Sequence, residues 1–182
     1  MVRRALLAAL ATGCSPPPAT PPVADLDIKK MPDAGASAVT PKAVADDKAF
    51  LAGGKCGGTV GQAAPPLSPG IQVGKVTIVV TWAHPALQEI EKLQRLYARH
   101  RDRVDVIAMS VDDEKAAVFA FAKQHGAAFT VAWDEDHHAA ECWKVQTMPS
   151  TYIVDREGVV RHLYGGYHDG DVDEMEREIE KL

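Results

Sequence analysis

The sequence predicts an α/β domain in which helices cover a mixed sheet. Three observations carry that expectation. From Gly74 onward, runs rich in β-branched residues alternate with segments of helical periodicity, in the order β-α-β-α-β-α-β-β-α. The last two strands are separated only by Arg156-Glu157-Gly158, so they form an antiparallel hairpin, which excludes a purely parallel sheet. The chain of 182 residues, 46% hydrophobic and 25% charged, is sized for one domain plus extensions.

Taken in order, KVTIVVTW (Lys75 to Trp82) is a near-continuous apolar run, as expected of a strand buried on both faces. Pro85 suits the first turn of a helix, with His84 near its cap. Leu87, Ile90, Leu93 and Tyr97 then recur at helical spacing, while Gln88, Glu91, Lys92 and Arg95 face away. VDVIAMSVD is a second strand, and DEKAAVFAFAKQHG a helix with an acidic first turn and Gly126 beyond its end. AAFTVAWDED gives a third strand and HHAAECWKV a short helix. After the hairpin, DVDEMEREIEKL closes the chain with Met175, Ile179 and Leu182 on one face.

Ahead of the domain the chain reads as leader and tether. Residues 1–14, MVRRALLAALATGC, have the basic start, short apolar run and small residues of a secretory signal. The run is far shorter than the roughly 20 residues that span a bilayer. Its ending at Cys14 resembles a bacterial lipobox, with Ala11 where Leu is more usual, so Cys14 is expected to be lipidated and to hold the chain on a membrane without crossing it. The plainer alternative is an ordinary secretory signal, with Cys14 discarded. Residues 15–48, including SPPPATPPVAD, read as a disordered Pro/Ala-rich tether, and 49–182 as the domain, with a Gly- and Pro-dense lead-in to Gly70. The expected location is the bacterial cell envelope, facing the periplasm or the cell exterior. A net charge of -5 without a basic cluster in the domain excludes a nucleic-acid surface.

VGQAAP (Val60 to Pro65), GKVTIVVTWA, PALQEIEKLQ, VIAMSVDD and TMPSTYIVDREGVV, in that order and spacing, resemble the membrane-anchored TlpA/ResA-type thioredoxin-like proteins from about Val60 to Leu182. The resemblance implies a thioredoxin fold, with a central mixed sheet, flanking helices, a C-terminal hairpin and a final helix. It also implies an extracytoplasmic location, thiol–disulfide exchange, and a cis bond before Pro149 facing the redox helix. Trp82-Ala83 matches the family's Trp-Ala at the end of the central strand, although core packing alone accounts for Trp82. At the next position the chain departs. The family places a Cys-x-x-Cys here, with proline before the second cysteine. Trp82-Ala83-His84-Pro85-Ala86 is about three residues shorter, Ala86 falls at the second cysteine's place, and the first has no counterpart. That chemistry needs a thiolate at the helix N-terminus and a neighbouring thiol to resolve the mixed disulfide, so exchange by this route is excluded.

Other residues offer weaker alternatives. Cys142, seven residues before Pro149, and Cys56 in the lead-in are candidate relocated thiols. They could form a disulfide with each other or a relocated redox pair; because disulfide geometry is strict, the favoured reading is the plainer one, with Cys142 a small buried residue and Cys56 an incidental loop thiol. Asp134, Asp136, His137, His138 and Cys142 cluster in WDEDHHAAEC, and His138 and Cys142 stand at a chelating i, i+4 spacing. The plainer reading is an acidic first turn followed by surface histidines. His84 at a helix N-terminus is a candidate base or ligand, but no nucleophile accompanies it, and it serves equally as filler of the shortened corner. The resulting expectation is an exported, lipid-anchored thioredoxin-like protein without a cofactor. It has lost its redox centre and binds an envelope protein or peptide in the groove near Pro149. The alternative is an envelope thiol–disulfide oxidoreductase using Cys142 and Cys56.

Overall fold

All seven residues of strand β2 (Val76–Trp82) are buried, as its unbroken apolar run requires of the centre of a covered sheet. The computed structural model describes residues 43–44, 55–68, 70–83 and 87–182. In chain order it gives β1 (Ala43–Val44), β2, α1 (Leu87–His100), β3 (Val104–Ser110), α2 (Lys115–Gln124), β4 (Thr130–Trp133), α3 (His138–Cys142), β5 (Ser150–Val154), β6 (Val160–Gly165) and α4 (Asp171–Ile179). The strands form one sheet in the order β1-β4-β3-β2-β5-β6. β2, β3, β4 and β1 run parallel, while β5 is antiparallel to β2 and β6 antiparallel to β5, so the sheet is mixed as expected. The hairpin turn is held by Asp155, whose Oδ1 accepts the N–H groups of Glu157 and Val159, and Gly158 supplies its positive φ of 83°.

Period-two alternation divides the sheet into two faces. Val76, Ile78, Val80 and Trp82 point to one face, where they pack with Ile90, Leu93 and Leu96 of α1, Phe121 of α2, and Met175 and Ile179 of α4. Val79, Ile107, Met109 and Tyr152 point to the other, against Ala139 and Cys142 of α3, Trp143 and Leu67 of the lead-in. The lead-in is less irregular than its composition suggests. Gly61 N–H donates to Val160 O at 2.8 Å, Val160 N–H to Gln62 O at 2.9 Å, and Ala64 N–H to Gly158 O at 2.8 Å, which lines part of the outer edge of β6.

One boundary differs from expectation. Ala43–Val44, placed in the tether by composition, pairs in parallel with Val131 and Ala132 of β4. A two-residue edge strand is joined by backbone groups, which leave no apolar periodicity to read. The signal segment, Cys14 and the rest of the tether lie outside the described residues. Among the described residues, no helix is long and apolar enough to cross a membrane.

Candidate functional site

The site expected after β2 is bounded by three elements: Trp82-Ala83, the first turn of α1, and the loop before β5. His84, Pro85 and Ala86 lie outside the described residues. Trp82 is buried, with its ring 4.9 Å from that of Phe121 on α2, so it anchors the strand end in the core. The Met148–Pro149 peptide bond is cis, as the resemblance implied. Antiparallel register sets Thr81 opposite Ser150, which brings this proline loop alongside the C-terminal end of β2. The loop is tied down from both sides. Thr81 Oγ1 donates to Ser150 O at 3.1 Å, Ser150 Oγ to Thr147 O at 2.7 Å, and Gly166 N–H to Pro149 O at 2.8 Å. At its tip Met148 is 42% exposed. The Met148 peptide N–H and C=O make no hydrogen bond among the described residues.

Behind this loop lies a residue the sequence reading passed over. Glu89, in the first turn of α1, is 2% exposed. Its Oε1 accepts the Thr151 hydroxyl at 2.5 Å, and its buried Oε2 has no hydrogen-bond partner among the described residues. Burial is the main cause that lifts its pKa to about 7; the Thr151 bond pulls it down, and the Asp171 carboxylate adds to the rise. The signal was present in the sequence. Glu89 stands four residues before Leu93 and seven before Leu96, on the buried stripe, where an acid is out of place.

Of the two readings of the thiols, the structure shows the less favoured one. Cys56 and Cys142 form a disulfide, with Cα atoms 4.5 Å apart and a sequence separation of 86. No periodicity brings two such distant segments together; the backbone does. Gly57 N–H donates to Cys142 O at 2.9 Å. Gly58, at φ 47°, lies so close to α3 that a Cβ there would stand 2.1 Å from Trp143 O. Cys56 is exposed and Cys142 buried. The disulfide stands on the face opposite α1, away from the first turn of that helix.

The same bond bears on the weak metal candidates His138 and Cys142. Cys142 Sγ is consumed, so the His138–Cys142 pair lacks the thiolate a metal would need. Asp134 is spent as well: its two oxygens accept the N–H groups of Ala139 at 3.1 Å and Ala140 at 2.9 Å, capping the start of α3. His138 Nδ1 faces Asp136 at 3.8 Å. Among the described residues, no group of three or more His, Cys, Asp or Glu side chains is arranged to hold a metal.

Comparison with known proteins agrees with this arrangement. The AhpC/TSA family model matches residues 70–163, just over half of the chain. The thiol:disulfide interchange protein DsbE of Allochromatium vinosum is 34% identical over 58% of this chain and 60% of its own length. The thiol-disulfide oxidoreductase ResA of Bacillus subtilis is 30% identical over 47% of this chain and 49% of its own. The chain thus spans half to three fifths of the length of these relatives. A solved structure described as a thiol:disulfide interchange protein DsbE from Chlorobium tepidum superposes with a TM-score of 0.61 at 25% identity, covering 68% of this chain and 96% of that one. With the sheet order, the cis proline and the sequence match in accord, the chain belongs to the AhpC/TSA family and has a thioredoxin-like fold, and it is similar to the TlpA/ResA-type thiol-disulfide oxidoreductases.

Proposed function

We propose that this protein is a redox-inactive binding module, which holds an extended segment of an envelope protein against the proline loop. The observation that carries this reading is the pairing of an open peptide edge with a sulfur-free corner. Among the described residues the Met148 N–H and C=O have no partner, and they stand beside an exposed thioether, which is what an added strand needs. The corner residues 83–86 are Ala-His-Pro-Ala, so no thiol stands next to it. The cell-envelope location and the lipid on Cys14 belong to the same proposal. A disulfide between Cys56 and Cys142 suits an oxidising compartment.

One observation favours a second reading, an oxidoreductase working through Cys56–Cys142: Cys56 is exposed. A substrate thiolate would attack Cys56 Sγ, forming a mixed disulfide and releasing Cys142 as thiolate. The leaving group argues against turnover. Cys142 is 3% exposed among apolar side chains, where a departing thiolate is poorly solvated. A covalent tie is the better account of the bond.

Two measurements decide between these readings. In a dithiothreitol-coupled insulin reduction assay the full chain should give no turnover above buffer; turnover that Cys142→Ser abolishes sinks the binding reading. Titration with reduced, carboxymethylated α-lactalbumin, an unfolded polypeptide, should perturb the Met148 methyl NMR signal. Labelling of whole cells with radioactive palmitate should mark the wild-type chain and leave Cys14→Ser unmarked.

A further inference from the structure

The end of the sheet opposite the proline loop gathers four cations and an exposed valine. Arg156, Lys75 and Arg103 stand just beyond the paired ends of the neighbouring strands β5, β2 and β3. Backbone bonds fix them there: Gly74 N–H donates to Arg156 O at 2.9 Å and Val76 N–H to Arg103 O at 3.1 Å. Lys75 Nζ donates to Arg101 O at 3.3 Å, which adds the turn after α1. Lys75 N–H donates to Gln72 O at 3.3 Å, closing a turn at whose tip Val73 is 84% exposed. The sequence shows no basic run because these residues are spread from Lys75 to Arg156; the strand order collects them. We propose that this pole is a membrane-docking surface: its cations sit on anionic phospholipid headgroups and Val73 enters the interface, which turns the proline loop away from the bilayer.

Charge complementarity selects the occupant. None of the four cations forms an ion pair among the described residues, whereas Lys92, Arg99, Arg161 and Lys181 elsewhere are paired. The acids nearest to them in the chain are Asp102, Asp105 and Glu157, so the pole keeps a positive surplus on a chain of net charge -5. The opposite end is acidic: Asp113 and Glu114 after β3, and Glu135 and Asp136 after β4, are exposed. The two ends are separated by the seven residues of β2, about 20 Å. An anionic surface therefore attracts one end and repels the other, which fixes the orientation. Each cation held within a Debye length of such a surface strengthens docking roughly fivefold. Val73 decides between a bilayer and an acidic protein. An apolar tip ringed by cations matches a surface that is anionic at its headgroups and apolar beneath them.

Docking depends neither on the peptide-binding reading nor on a lipid at Cys14. The test uses the full chain with Cys14→Ser, in which Cys56 and Cys142 are bonded to each other, so an added cysteine is the one free thiol. The fluorophore NBD is attached through Gln72→Cys, beside Val73, in one sample and through Met148→Cys in another. On vesicles of equal parts phosphatidylglycerol and phosphatidylcholine in about 50 mM salt, the Gln72 label should shift to the blue and the Met148 label should not. The shift should vanish in about 0.5 M salt and on phosphatidylcholine alone. Attachment through residues 1–14 is common to every variant and leaves the Gln72 label in water. Arg101 and Arg156 are exposed, so their variants should melt as the wild type does. Arg101→Gln/Arg156→Gln should lower the docked-to-free ratio roughly thirtyfold, and each single variant roughly fivefold. No shift at Gln72, an equal shift on phosphatidylcholine alone, or a ratio unmoved by the arginine variants overturns the proposal. So does a shift at Met148 as large as that at Gln72. A shift with poly-L-glutamate in solution and none on vesicles assigns the pole to an acidic polypeptide, which also overturns it. Failure of α-lactalbumin to bind leaves the vesicle result unchanged, so the two readings fail separately.

Discussion

The two faces of the sheet are closed by different means. On one, α1, α2 and α4 lay 14-, 10- and 9-residue helices over the strands, and the interface is apolar and non-covalent. On the other, α3 has only five residues, and the rest of the cover is the Gly-rich lead-in. That thinner cover is tied by the Cys56–Cys142 bond, by Gly57 N–H to Cys142 O, and by the Tyr152 hydroxyl donating to Trp143 O at 2.8 Å. Where helical area runs out, a covalent link and close backbone contact substitute for it.

The largest expected effect comes from cutting that link. For a closed loop of 86 residues the chain-entropy account gives about 4 to 5 kcal/mol. The Cys56→Ala/Cys142→Ala double variant should lose about that much in urea denaturation, whereas Ile90→Val on the helical face should lose about 1 kcal/mol. A loss below about 1 kcal/mol in the double variant would mean that the thin face holds without its tie, and the contrast between the faces would collapse.

Next in size is Glu89, the polar exception on the helical face. Its carboxyl ionises near 4.5 in an unfolded chain and at about 7 in the folded one, so the folded state keeps the extra proton between those values. The associated stability is fully present below 4.5 and lost as pH rises through 7, the reverse of a salt-bridged carboxylate. The difference corresponds to about 3 kcal/mol. Between pH 4 and pH 8, the stability of Glu89→Gln relative to wild type should therefore rise by about that amount, as read from paired urea titrations. An unchanged difference would show that the acid is solvated after all.

Gly58→Ala tests the thin face without touching sulfur. An alanine there must hold φ 47° and place its Cβ against Trp143 O, so the lead-in has to shift away from α3. We expect about 2 kcal/mol of destabilisation and faster reduction of Cys56–Cys142 by dithiothreitol. Gly61, at φ 85° but with open space around its Cβ, is the control: Gly61→Ala should cost about 1 kcal/mol and leave the reduction rate alone.

The contrast between the faces also explains what could be read in advance. β2, α1, β3, the hairpin and α4 were legible because each buries a periodic set of side chains, and Ile90, Leu93, Met175 and Ile179 are on that set. The absence of cysteine from the corner needed no structure. What escaped depends on meetings between distant segments. Cys56 finds Cys142 through backbone contacts of Gly57 and Gly58, and Ala43–Val44 joins β4 by peptide groups alone. Asp134, read among metal-ligating residues, instead caps α3, a use fixed by the fold of one turn. Glu89 was the exception: its place on the apolar stripe was visible, but its partner Thr151 was not.

The smallest effect concerns the far end of α1, where a second glutamate has the opposite electrostatics. Glu176 of α4 accepts from Arg99 Nε at 2.9 Å and Nη2 at 2.6 Å, and its Oε1 is 2.6 Å from His100 Nε2. The Arg99 bonds, ahead of His100, hold its carboxyl down at about 2. Its contribution is thus present above about 4.5 and lost as pH falls towards 2, opposite in sign to that of Glu89. The Arg99 side chain is 51% exposed, so solvent screens the pair and Glu176→Gln should cost only about 1 kcal/mol at pH 7. Below pH 3 that cost should fade in acid-denaturation curves. The two glutamates lie at opposite ends of α1 and share no hydrogen-bond partner, so their effects should add in Glu89→Gln/Glu176→Gln. The double variant should lose both the acid limb set by Glu176 and the neutral limb set by Glu89. A non-additive result would show that α1 transmits the state of one end to the other, coupling the clasp on α4 to the proline loop.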